Sequence, residues 1–590
     1  MESTSQQSTR REWLICLGLI AIYLAARLPN LRAMPAFTDE TTYARWAQLI
    51  IADPRHNLFV SMSDAKPPLH YWLLAATRWF AQDPIEAGRI LSVLLGLLVF
   101  PGLLALSREI ARIAKGVNPA LLTFIAGILL ITSPIIAQQQ RMIMAEALLL
   151  PQAVAMAWLS LRLARLLAEN APRRQVLLTS LWLGILWATA LLTKQVFSYF
   201  LWAFVPLATL IHCRRDSWMR TARQSLLPLG IMTLLGLTCF LPVVFTDSTQ
   251  TLKSRLLYKP IFLPKSDDNR LTLAWNHILE LFWPQSDGRF QLWPHNAAAP
   301  LDHGILYLYM TPPILVLIAA AFIWMIRRRA WGLAIFLGGW TTIFIGSFLI
   351  GAGVIMSRYT ALAALPLLLA AAWLLALTAQ LLREKLPLVP AAAIASIVSA
   401  MFIAWPAAAT EATVISWQSP VYSAFDAEQY VTEFGGGHVT EETLVWLLEQ
   451  AEDHPITIVT GSWVGSPNDA MWLYLSGNPN IKLYWDDWKK TLVHPVAPGT
   501  YLLGENRWID KADKRVVLDF SQPVYYIVPI THFHNGPAKS FVPAEVLPPH
   551  VLVQHFSNPT DRFTSANFQE LAIIRLQPGA KVAIVNEQNQ

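Results

Sequence analysis

Cysteine is nearly missing from this chain of 590 residues. Only Cys16, Cys213 and Cys239 occur, all in or beside apolar runs and none after residue 410. Neither a disulfide framework nor a cysteine metal site is offered. Charge is scarce as well, at 14% of residues against 54% hydrophobic. The scarcity leaves charge-free stretches long enough to cross a bilayer at 13–26, 90–107, 116–140, 147–161, 175–193, 195–211, 224–246, 304–326, 330–357, 359–382 and 386–410. At about 20 apolar residues per span, the expectation is a polytopic α-helical membrane protein of about 11 spans.

The few cations present are ordered. Arg10 and Arg11 precede the first run, and Arg108, Arg112 and Lys115, Arg173 and Arg174, Arg214, Arg215, Arg220 and Arg223, Arg327 to Arg329, and Arg383 with Lys385 follow the second, fourth, sixth, eighth and tenth. Short loops rich in Lys and Arg stay in the cytoplasm. The pattern therefore puts the N-terminus in the cytoplasm and the tail from residue 411 outside it, with the inner (cytoplasmic) membrane as the location. The net charge of +6 is a topology signal and makes no case for nucleic acid. Arg10 and Arg11 resemble a twin-arginine export signal, but orientation alone asks for them, and no small-x-small cleavage site follows.

Two domains are expected: residues 1–410 in the membrane with outer loops 30–84 and 247–303, and residues 411–590 as an extracytoplasmic soluble α/β domain. In the tail, "ITIVTGSW" (456–463), "VVLDF" (516–520), "PVYYIVP" (523–529) and "ELAIIRL" (570–576) read as strands, and 439–452 and 467–476 as helices. Its "GSWVGSP" turn lacks phosphate-loop spacing. Loop 247–303, with Trp275, His277, Trp283, Trp293, His295 and His303, is too long for a plain connection. In loop 30–84, Tyr43, Trp46, Leu49 and Ile50 recur at helical spacing, predicting an interfacial helix with Thr38 as N-cap.

Ionisable residues gather at the outer ends of these spans: Asp39 and Glu40 in "FTDETTYARW", Lys66, Arg141, Glu146, Lys194 and Arg358. A charge at membrane depth costs about 2.5–3.5 kcal/mol on insertion scales, so such residues usually line a watered, protein-walled cavity. Pro67 and Pro68 suit the first turn of a helix whose free N–H groups would face an anion beside Lys66. Carboxylates beside cations suggest a hydroxyl attacking a sugar whose leaving group is a lipid phosphate. A carboxylate base is needed by the hydroxyl, and cations by the developing phosphate charge. Asp39, Glu40 and Glu146 are the catalytic candidates; Lys66, Arg141, Lys194, Arg358 and Tyr359 are the phosphate candidates. Singly, each has a plainer role as helix-dipole partner, snorkelling cation or structural ion pair. His70 reads as packing, with a metal-ligand role in reserve. No metal site is assigned, no cofactor is certain, and a divalent metal is left open.

With "FTDETTYA", "KPPLHYWL", "RMIMAEALL", "LLTKQ" and "SRYTALAALP" in this order, the chain resembles the GT-C membrane glycosyltransferases that use polyprenyl-phosphate sugars. Among these it is similar to bacterial lipid A aminoarabinose transferases and protein O-mannosyltransferases. The resemblance covers residues 1–410 and implies an inverting glycosyltransferase with a lipid-linked sugar donor and a lipid, glycan or protein acceptor. It further implies Asp39 as the base, Glu40 supporting it, Lys66 on the donor phosphate, and Lys194 and Arg358 bordering it. Glu146 stands where the family usually has Asp. The tail is expected to dock the acceptor. The alternatives are a transporter or flippase of lipid-linked saccharide, or a receptor-like scaffold with a ligand-binding outer domain.

Overall fold

The computed structural model describes most of residues 2–577. Outside the description lie 78–79, 115, 213–217, 246–274, most of 275–303, 352–356, most of 416–436, 462–464, 488–499, 511, 533–538, 541–549, 558–567 and 578–590. The aromatic and histidine loop at 247–303 therefore lies largely outside the described residues.

Among the described residues the apolar runs fall in helices, but proline and local breaks cut several of them short. Five helical segments among the described residues are long and apolar enough to cross a membrane: Pro84–Ile113, Glu146–Ala168, Arg173–Thr193, Arg223–Val243 and Ser357–Lys385. A sixth results if the pair Pro119–Ile131 and Pro134–Arg141, bent by 71°, is one span. The expected count of about 11 is not reached among the described residues. Proline disfavours helical geometry in the residue before it. Accordingly Ser133 before Pro134 is extended at φ −77°, ψ 118°, and Thr311 before Pro312 leaves the helix at φ 65°, ψ 145°. Gln195–Ile211, Pro312–Arg327, Trp331–Ser347 and Ser396–Thr410 are left as shorter apolar helices.

Ser357–Lys385 is the most enclosed long helix, with 94% of its apolar window buried. It delivers Arg358 and Tyr359 at its first turn. The helix Thr38–Ala52 joins the same core, with Trp46 fully buried and Tyr43, Leu49 and Ile50 nearly so. That burial corrects the expectation of an interfacial helix. Its N-cap is also shifted by one residue from the expected Thr38. Phe37 holds the cap position, and its N–H donates to the Glu40 carboxylate at 3.0 Å.

The tail folds as a mixed sheet. Strands run in the order Ile481–Trp485, Ile456–Thr460, Val524–His532, Phe568–Leu576 and His550–Ser557, the first three parallel and the remaining pairings antiparallel. Strand side chains alternate between faces, and here both faces are apolar. Tyr525 and Ile527 join helix His438–Asp453 in one core. Val524, Tyr526 and Val528 pack against the hairpin Thr500–Leu503 and Lys514–Val517 in another. Helix Asn468–Leu475 crosses between the parallel strands Ile456–Thr460 and Ile481–Trp485, as a parallel connection requires.

Candidate active site

Three separated stretches of chain meet at Asp39. Its Oδ1 accepts from Lys66 Nζ at 3.3 Å and its Oδ2 from Arg358 Nη1 at 2.6 Å. Asp39 stands in the first turn of helix Thr38–Ala52, Lys66 follows the left-handed turn at Ala65 (φ 55°), and Arg358 opens the helix Ser357–Lys385. Lys66 also pairs with Asp64 at 3.1 Å. Burial opposes the charge of Asp39, but Lys66 and Arg358 overcome it and hold the carboxyl below the usual carboxylate range.

A second ion pair faces the first. Glu146, at the start of Glu146–Ala168, accepts from Lys194, which occupies the extended residue between helices Arg173–Thr193 and Gln195–Leu201. Tyr359 links the two pairs, its ring centroid lying 5.2 Å from both Lys194 Nζ and the Arg358 guanidinium carbon. Both pairs line one cavity of about 190 Å³, with Tyr43, Tyr71 and Phe197 as its aromatic walls. Pockets that enclose drug-sized ligands span roughly 300–1,000 Å³. This hollow is smaller than that range.

Of the eight residues singled out in the sequence, six converge here: Asp39, Glu146, Lys66, Lys194, Arg358 and Tyr359. Glu40 and Arg141 do not line the cavity. Helical geometry turns Glu40 away from its neighbour Asp39, and it is fully buried. It accepts from Arg89 Nε at 2.8 Å, Arg89 Nη2 at 2.6 Å, the N–H of Ile143 and that of Phe37. Arg89 also donates to the carbonyls of Leu31, Met34 and Pro35. The pair thus fastens the loop that precedes the Asp39 helix. Arg141 likewise donates to the carbonyls of Arg27, Pro29 and Asn30, each at 2.7 Å, closing the exit of the first helix. Arg89 was missed in the sequence because it sits one residue before an apolar run and looks like a flank.

Pro67 and Pro68 lead into the seven-residue helix Leu69–Ala75, too short to supply an N-terminal anion seat. His70 on it is fully buried with both ring nitrogens unpartnered. Burial pushes its imidazole down to about 4, so it is neutral at physiological pH. Among the described residues no group of three His, Cys, Asp or Glu side chains is arranged to hold a metal ion.

No protein-family model matches the chain, and no curated protein matches it significantly. Solved structures do match. ArnT from Cupriavidus metallidurans in the apo state aligns over 95% of this chain and 97% of its own, with 13% identity and a TM-score of 0.50. The Archaeoglobus fulgidus oligosaccharyltransferase aligns over 76% of this chain and 62% of its own, with 13% identity and a TM-score of 0.45. The S. cerevisiae protein O-mannosyltransferase Pmt1-Pmt2 complex bound to the sugar donor aligns over 39% and 33%, with 20% identity and a TM-score of 0.30. The chain thus spans under two thirds of the last two and nearly all of the first. A likeness at such identity concerns architecture, and on that ground the chain has a GT-C-like fold.

Proposed function

We propose that the chain is a membrane glycosyltransferase moving a sugar from a polyprenyl-phosphate carrier to a hydroxyl or amine acceptor at the extracytoplasmic face of the inner membrane. The observation that carries this reading is the carboxylate of Asp39 shared between Lys66 and Arg358 inside a small cavity. Two cations converging on one anionic seat suit a phosphate as well as a carboxylate. ArnT has also been crystallised bound to undecaprenyl phosphate.

The reaction follows from the same atoms. The donor phosphate takes up Lys66 and Arg358, which relieves Asp39 of the charges that keep its basicity low. The acceptor oxygen or nitrogen attacks the anomeric carbon while its proton passes to the freed carboxylate of Asp39. The bond from the anomeric carbon to the phosphate oxygen breaks, and the lipid phosphate leaves with the electron pair, its charge held by the two cations. One displacement inverts the anomeric centre. Glu146 and Lys194 flank the seat, with Lys194 available to the phosphate and Glu146 to the sugar hydroxyls or the acceptor. Residues 411–590 are read as the extracytoplasmic domain of the enzyme.

The test is incubation of the purified protein with labelled polyprenyl-phosphate sugars and an envelope extract as acceptor. Release of free lipid phosphate that disappears in Asp39→Asn supports the reading. Folded protein that releases none from any of several donors sinks it.

A further inference from the structure

Lys66 does not reach the cavity unaided. Its Nζ stands 4.8 Å from the ring centroid of Tyr43 and 5.6 Å from that of Trp46, and these rings stack on each other at 5.6 Å. Trp46 is fully buried and its indole N–H has no hydrogen-bond partner. Packing alone therefore sets where this ring lies. Tyr71 meets it edge-on at 4.9 Å from within the membrane half, and Trp508 meets it edge-on at 5.0 Å from the tail domain.

Trp508 is anchored in turn. Its indole N–H donates to Asp469 Oδ1 at 2.8 Å, while Asp469 Oδ2 accepts from the backbone N–H of Gly465 at 2.7 Å and from Thr42 Oγ1 at 2.8 Å. Asp469 is 1% exposed. A buried carboxylate is tolerated when its lone pairs are satisfied, and here three donors from three segments satisfy it. Thr42 belongs to the helix that carries Asp39, and Trp508 and Gly465 belong to the sheet domain.

We infer that Asp469 and Trp508 are positioning residues, through which the tail domain fixes Trp46 and hence the ammonium of Lys66 over its aromatic seat. The tail domain is on this account a structural part of the reaction centre, in addition to any acceptor it docks. The functional consequence rests on Lys66 being the donor-phosphate ligand; the mechanical coupling does not.

The experiment compares the wild type with Trp508→Ala and Trp508→Phe, the latter keeping an aromatic edge against Trp46. Brief acylation of the full-length protein in detergent, read by peptide mass spectrometry, gives the reactivity of Lys66 with Lys194 as internal reference. Lys66 in Trp508→Ala is expected to label several-fold faster at unchanged Lys194, with Trp508→Phe near the wild type. Affinity for polyprenyl phosphate should fall about tenfold in Trp508→Ala, the worth of a desolvated cation–π contact. Should Trp508→Ala fail to fold, Asp469→Asn, which removes one acceptor at constant volume, is expected to shift both readouts the same way by less. Unchanged Lys66 labelling, or Lys66 and Lys194 accelerating together, overturns the coupling. A wild type that binds no polyprenyl phosphate would instead overturn the donor assignment, and the labelling ratio would still decide the coupling.

Discussion

Asp39 and Glu40 are adjacent carboxylates with opposite employment. Asp39 faces two cations in a cavity, whereas Glu40 is wholly buried on a bidentate arginine. Losing one partner of a buried pair strands the other charge, at a cost of about 3–5 kcal/mol. Arg89→Met is accordingly expected to lower the melting temperature sharply, and Asp39→Asn by less, because the two cations it leaves behind line a cavity. Thermal unfolding in detergent checks both. At the cavity, Asp39→Asn is expected to abolish transfer while binding lipid phosphate at least as tightly as the wild type, because a neutral amide competes less for Lys66 and Arg358. Separate measurement of turnover and of lipid-phosphate affinity decides it; weaker binding in the variant would oppose the shared-seat argument. The pH dependence has a definite sign. The folded-state pKa of Asp39 lies below the unfolded value of about 3.9. Its stabilisation is therefore complete above that value and lost as pH falls towards the folded value. Between about pH 4 and 2 the wild type should lose melting temperature faster than Asp39→Asn, as a pH series of melts would show.

At the scale of elements, the helix Thr38–Ala52 is where the sequence was most readable and most misleading. Its helical period was plain, and so was its acidic start. Its setting was not, because an apolar stripe looks the same whether it meets lipid or protein; here it packs into the helical core, and the tail domain covers the polar side at Thr42, Arg45 and Gln48. Gly465 shows how close that cover is. It adopts φ +89°, and a Cβ there would lie 1.9 Å from Thr38 Cγ2. Gly477 has a similar φ of +97° with open space around it. Both alanine variants carry the backbone strain, roughly 1–3 kcal/mol, but only Gly465→Ala also pushes on the Asp39 helix. Gly465→Ala should therefore melt lower than Gly477→Ala and reduce transfer per folded molecule well beyond it, which parallel melts and assays of the two variants test.

For the whole molecule, the arginine and lysine pattern carries an orientation that reporter fusions check: a reporter active only outside the cytoplasm is expected to work at the C-terminus and fail at the N-terminus. Composition and period were sufficient to recognise apolar helices and a tail of mixed strands and helices, since burial in lipid or in a two-faced sheet demands those patterns residue by residue. They were also enough to put Asp39, Lys66, Glu146, Lys194 and Arg358 on one list, because a charge at the end of an apolar run is costly wherever it occurs. What sequence could not separate was Glu40 from Asp39, neighbours that point to different sides of one helix, or Arg141 from Lys66, since only packing says which charged side chain enters the cavity and which is spent on backbone carbonyls. The hidden arginine at Arg89 and the Asp469 anchor were likewise decided by tertiary structure. Each depends on partners between dozens and hundreds of residues away, and such distances leave no periodic trace in a single chain.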